Sequence, residues 1–210
     1  MHLQISVFIA LCACVAAVHA ADGKKPTPAK NVPESTQITA SLEGDDTSTL
    51  DLGGKTAAEF EALLKSESAL DKGLPKPPAV KLKLVLKNTA DTEIQIFEKG
   101  DPITVELALT GPGVLSVAPR LAMTMEFRMP VAVKLAPGKT LEIPLTQLAS
   151  GKRGAGTYHY WTKPGDYELV ATFNTSINPA PKDAKAGRDG FAKVALSTAG
   201  FKLTVGEKKK

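Results

Sequence analysis

The sequence predicts a mainly β chain: an antiparallel sandwich carrying one packed helix near its N-terminal side. Three observations predict it. From Val80 onward, apolar and polar residues alternate in short runs, as in Val80, Leu82, Leu84 and Leu86 against Lys81, Lys83 and Lys87, the period of a strand with one face sealed and one in water. Turn signals separate those runs at close spacing, with Pro-Gly pairs at 112–113, 137–138 and 164–165. The one helical stripe lies ahead of all of them, so strands and helices do not alternate as a parallel α/β sheet requires.

The chain of 210 residues is 43% hydrophobic with a net charge of +4, which suits one domain with extensions. Its basic residues are interspersed with acids apart from lysines at the two ends, and no nucleic-acid-binding module is recognisable, so nucleic acid is not an expected partner. Residues 1–20 read as a signal peptide: an apolar run from Ile5 to Ala17 ends at Val18-His19-Ala20, the small residues a signal peptidase reads. The run is shorter than the roughly 20 residues a spanning helix needs, and no transmembrane segment is expected after its removal. Leu11-Cys12-Ala13-Cys14 offers a second processing route that would leave a lipid anchor at Cys14. Cleavage after Ala20 leaves no cysteine, which excludes disulfides, thiol nucleophiles and Cys-ligated zinc. The expected location is secreted, periplasmic or cell-surface.

Taken in order, residues 21–36 are a Lys/Pro/Ala-rich spacer without periodicity. Residues 37–78 carry Ile38, Ala40, Leu42, Leu50 and Leu52, split by the polar Glu43–Asp46; they read as a short hairpin, or as one segment docking on the main sheet as an edge strand. Thr56-Ala57-Ala58-Glu59 is a capping box opening a helix over about 56–71, with Phe60, Leu63, Leu64 and Leu70 on one stripe. Gly73 and Pro75, Pro77 and Pro78 stop it, and a single helix must hide its stripe on the sandwich. The sandwich itself spans 79–206, with strands around Val80–Leu86, Ile94–Ile96, Ile103–Leu109, Leu121–Phe127, Val131–Leu135, Leu141–Leu145, Tyr158–Trp161, Tyr167–Phe173, Val194–Leu196 and Phe201–Val205. Residues 207–210 are a basic tail.

The stretch Tyr158 to Phe173 holds all three tyrosines and the only tryptophan and reads as a central hairpin reversing at Lys163-Pro164-Gly165-Asp166, where Pro and Gly suit a type II turn. Ala136-Pro137-Gly138-Lys139 carries the same signal. Trp161-x-x-Pro164-Gly165-x-Tyr167-x-Leu169-x-Ala171 resembles the E–F region of immunoglobulin-like domains, and the resemblance gives Tyr167 the role of the corner tyrosine that hydrogen-bonds back to the backbone. The chain departs from antibody domains in lacking the inter-sheet cysteine pair. With Val80–Asn88 and Leu135–Lys139 it resembles uncharacterised secreted bacterial proteins with a single immunoglobulin-like domain, and more distantly the BsuPI-type proteinase-inhibitor sandwich; this implies an immunoglobulin-like fold over about residues 79–206.

Function is less legible. After leader removal His159 is the only histidine. On a strand it shares a face with Trp161, and beside Lys152 and Arg153 the two form a candidate aromatic platform for a sugar ring or a peptide. The plainer reading is that both faces of that strand are packing. No Gly-x-Ser-x-Gly elbow is present and His159 is the lone base, so no catalytic residue is assigned. Glu106, Glu126 and Glu142 sit on polar strand faces, and Asp183 and Asp189 lack the acidic density of a calcium loop. No metal and no cofactor are expected. The reading is a non-enzymatic exported binding or structural module, acting on a protein or glycan of the cell envelope through end loops or a strand edge. Alternatives are a peptidase inhibitor acting by loop insertion and a carbohydrate-binding module using Trp161 and His159.

Overall fold

Two sheets face each other across the main apolar core. The computed structural model describes residues 37–66, 73–119, 127–152 and 155–207. The smaller sheet places β3 (Ala79–Asn88) between β1 (Ile38–Gly44) and β8 (Thr140–Gln147), antiparallel to both. The larger runs in the order β2 (Thr47–Leu50), β13 (Phe201–Glu207), β11 (Gly165–Asn178), β5 (Thr104–Thr110), β9 (Ala149–Lys152), β10 (Ala155–Trp161), β6 (Val114–Val117). β12 (Ala192–Ser197) and β4 (Ile94–Lys99) pair with the far half of β11, and β7 (Val131–Leu135) extends from β4. The core lies between the sheets, where Leu82, Leu84 and Leu86 meet Leu107, Leu169 and Phe173. A mainly β sandwich with one helix is the observed architecture. Its pairs are antiparallel throughout except β2 with β13, which are parallel.

β11 is the spine. Tyr167, Leu169, Ala171, Phe173, Thr175 and Ile177 are all buried while the residues between them are not, so period two persists well past Phe173, where the expected strand ends. Thr175 disguises the continuation: it is polar yet buried, because its hydroxyl donates to the Phe97 carbonyl (2.6 Å).

Three connections differ from expectation. The hairpin expected over 158–173 does not form: β10 pairs with β6 and β9, and β11 with other strands. Pro164-Gly165 makes a corner between strands that are not neighbours, and Gly165 sits at φ +145°, beyond the type II value, with a Cβ position 2.9 Å from Pro112. The Ala136–Lys139 turn does form, with the Lys139 N–H on the Ala136 carbonyl (3.1 Å) and Gly138 at φ +73°. It joins strands of opposite sheets instead of reversing within one. Of the two readings of Ile38 to Leu52, the hairpin is absent and edge docking is present: β1 docks at the edge of the small sheet and β2 at the edge of the large one. Gly44 permits the step between them, because a Cβ there would lie 2.2 Å from the Lys81 carbonyl oxygen.

The capping box is present as read, with the Glu59 N–H on Thr56 Oγ1 (3.3 Å) and the Thr56 N–H on Glu59 Oε2 (2.8 Å). The helix, α1 (Ala57–Leu64), is shorter than expected and closes at Lys65. Its buried Phe60 and Leu64 pack on Tyr160, on the outer face of the large sheet, forming a second small apolar cluster. The leader, the spacer, Leu70, most of the strand expected over 121–127 and the terminal lysines lie outside the described residues. Among the described residues no helix is long and apolar enough to cross a membrane.

Candidate functional site

β10 sits where these parts meet, and both of its faces are covered. Trp161 (2% exposed) enters the main core against Tyr167, ring centroids 5.7 Å apart. His159 (5% exposed) lies between two serines, with Nδ1 2.9 Å from Ser116 Oγ on β6 and Nε2 3.0 Å from Ser150 Oγ on β9. The exposed His159–Trp161 platform is therefore not formed. Placing both side chains inward shelters a large apolar surface, and the imidazole keeps both its hydrogen bonds. Arg153 lies outside the described residues, and Lys152 is described only as backbone of β9.

The two serines could not be anticipated, being 43 and 9 residues from His159. Burial pushes the imidazole pKa below its ordinary value, so the ring is neutral near pH 7, donating one hydrogen bond and accepting the other. Among the described residues no carboxylate joins the cluster, and it acts as a bridge stitching β6, β10 and β9 together. Among the described residues no group of three or more His, Cys, Asp or Glu is arranged to hold a metal.

Tyr167 takes the corner role. Its hydroxyl lies in hydrogen-bond reach of two carbonyls, that of Lys163 four residues upstream and that of Pro112, and its single proton is shared between them. Gly111 must be small for this, since a Cβ there would stand 2.4 Å from Tyr167 Cδ1. Pro164 and Gly165 shape the same corner, which is structural.

Beside α1, where the β2 edge and the Pro75–Lys81 run come together near the end of β10, lies a groove of about 1090 Å³, slightly above the usual range for ligand pockets. Its floor is Phe60, Leu63, Tyr160, Trp161 and Leu203. One wall is the strand Thr47–Thr49 with its continuation to Asp51; the other is the extended run from Pro75 to Lys81. The walls converge where the Asp45 N–H meets the Lys81 carbonyl (3.1 Å). Two hydrogen bonds anchor the helix side: Tyr160 Oη donates to the Pro75 carbonyl (2.6 Å), and Thr162 Oγ1 to Glu61 Oε1 (2.9 Å). Phe60 meets Tyr160 edge to face at 5.9 Å, and burial raises the Tyr160 phenol above its ordinary pKa, so it stays protonated and keeps donating. At the rim Asp51, Lys55, Lys76 and Glu207 mix both signs of charge. An apolar floor beneath a polar rim can bury side chains and hold backbone.

No family model matches the chain, and no curated protein does. Among solved structures, the ASH/PapD-like domain of human CEP192 (PapD-like domain 7) aligns over 100% of both chains at 12% identity with a TM-score of 0.25.

Proposed function

We propose that this protein is a non-enzymatic binding module of the cell envelope, exported by its N-terminal leader, which holds a polypeptide partner in the groove between β2 and the Pro75–Lys81 run. The groove carries the reading: it is the place where apolar side chains, hydroxyls and charges converge on space large enough for several residues. Export is supported by the Ile5–Ala17 run ahead of Val18-His19-Ala20. A polypeptide suits the mixed walls better than a sugar does, because the one tryptophan meets the groove from within the core instead of offering a free ring face for stacking.

Trp161 fluorescence reports on this floor. Titration with a permanently unfolded polypeptide, reduced and carboxymethylated lactalbumin, is expected to give a saturable spectral change that Leu63→Arg abolishes. Saturation by chito-oligosaccharides in its place, or no change with either, would overturn the assignment.

A further inference from the structure

The backbone of β2 shows how a polypeptide would be held in the groove, an inference that rests on the proposed groove function. We infer that the partner binds as an extended strand, added to the free edge of β2 through the outward backbone groups of Thr47 and Thr49.

β2 runs parallel to β13, with Thr47 beside Thr204 and Ser48 beside Val205. The Thr204 N–H donates to the Asp46 carbonyl (2.8 Å). In a parallel ladder one residue turns both its N–H and its C=O to the partner strand and the next turns both away. Asp46 and Ser48 therefore face β13, and the Ser48 carbonyl oxygen lies 4.0 Å from the Cβ position of Gly206 on that strand. Thr47 and Thr49 face the groove, and among the described residues no strand pairs with that side.

The groove's outline agrees. Thr47, Ser48 and Thr49 all border it. Side chains of consecutive strand residues point to opposite faces, so a cavity touching three in a row abuts the strand's edge. The opposite wall offers no competing ladder. Pro75, Pro77 and Pro78 have no N–H, the Pro75 carbonyl is taken by Tyr160 Oη, and the Pro78 carbonyl accepts the Leu148 N–H (3.0 Å). A guest strand thus adds to β2 alone, laying every second side chain toward Phe60, Leu63 and Tyr160. Main-chain bonds give such a complex its affinity and the floor gives it selectivity. The match calls for a segment of about four residues, roughly 13 Å long, with a large apolar residue facing the floor.

A random linear-peptide display library panned against the full chain supplies the probes. Each enriched peptide is resynthesised with single backbone N-methyl groups at successive positions. Strand addition predicts alternation: methylation at every second residue weakens binding about tenfold, and at the intervening residues hardly at all. Thr49→Pro removes an outward N–H without touching the β13 ladder, and is expected to weaken binding similarly while the melting curve stays cooperative. If that variant fails to fold, the N-methyl pattern decides, since it leaves the protein unaltered. Peptides that need Leu63 but show no alternation would overturn strand addition and leave the groove assignment standing. A library that enriches nothing, together with unchanged Trp161 emission on lactalbumin, would remove both.

Discussion

Replacing Tyr167 by Phe deletes one oxygen atom and leaves the ring. The ring's contacts with Trp161 and Gly111 therefore persist, and the change isolates the corner hydrogen bonds. The hydroxyl serves the carbonyls of Pro112 and Lys163 together, in a side chain 3% exposed. A typical intramolecular hydrogen bond contributes about 1 kcal/mol net, and a buried acceptor left without a donor costs about 1–3 kcal/mol. Both carbonyls lie in loops within reach of the surface, where water can serve one of them, so the lower part of that sum applies: about 2 kcal/mol. For a domain of this size, 1 kcal/mol shifts the melting temperature by about 2–4 °C, giving a loss of about 4–8 °C. Circular-dichroism melts of both proteins at pH 7 measure it. A shift below about 1 °C would mean that the hydroxyl holds no corner together.

Gly111→Ala drives a methyl into the Tyr167 ring at a backbone φ of +145°; it is expected to lower the melting temperature at least as far as Tyr167→Phe, and the double variant is expected to lose less than the sum, because both act on one corner. His159 has a folded-state pKa below its ordinary value, so its contribution to stability is complete above the unfolded-state value near 6.5 and is lost as pH falls through the lowered folded one; the melting temperature should drop between pH 7 and pH 5, and His159→Gln, which cannot titrate, should flatten that drop. Thr56→Ala removes the cap of α1 and is expected to cost about 1 kcal/mol, read as a lower denaturation midpoint; an unchanged midpoint would show that packing of Phe60 and Leu64 alone holds the helix.

What the sequence showed plainly was whatever a period reveals. β3, β5 and β13 were legible because a sealed face allows only apolar residues at alternate positions, and the Thr56–Glu59 box because its two bonds are local. Strand partnership was not. Pro-Gly chemistry fixes two backbone conformations and is blind to whether the chain then reverses inside its sheet or crosses to the other one, so Pro137-Gly138 and Pro164-Gly165 both suggested hairpins and neither makes one. Trp161 and His159 looked like a surface patch because the sequence does not show that β10 is covered twice, by α1 on one side and the core on the other. The groove was invisible for a related reason: Thr47-Ser48-Thr49 reads as a polar link, and becomes a wall only once Pro75–Lys81 arrives opposite it.

That wall also bears on why such an edge is tolerated. An open edge invites pairing with any extended chain, and proteins blunt theirs with proline, charge or brevity. β8, an edge of the small sheet, carries Pro144 next to Leu145 and places Glu142 on Lys83 (2.7 Å). β6 ends the other sheet after four residues. β2 is as short, but it carries neither proline nor charge within Thr47–Leu50. Under the strand-addition proposal its protection comes from position: it opens into a slot bounded by a proline-rich segment whose Pro75 and Pro78 carbonyls are engaged, a slot the proposal reserves for one strand. An edge shielded from sheets and left open to one strand satisfies both demands at once, discouraging aggregation while keeping a place for a partner.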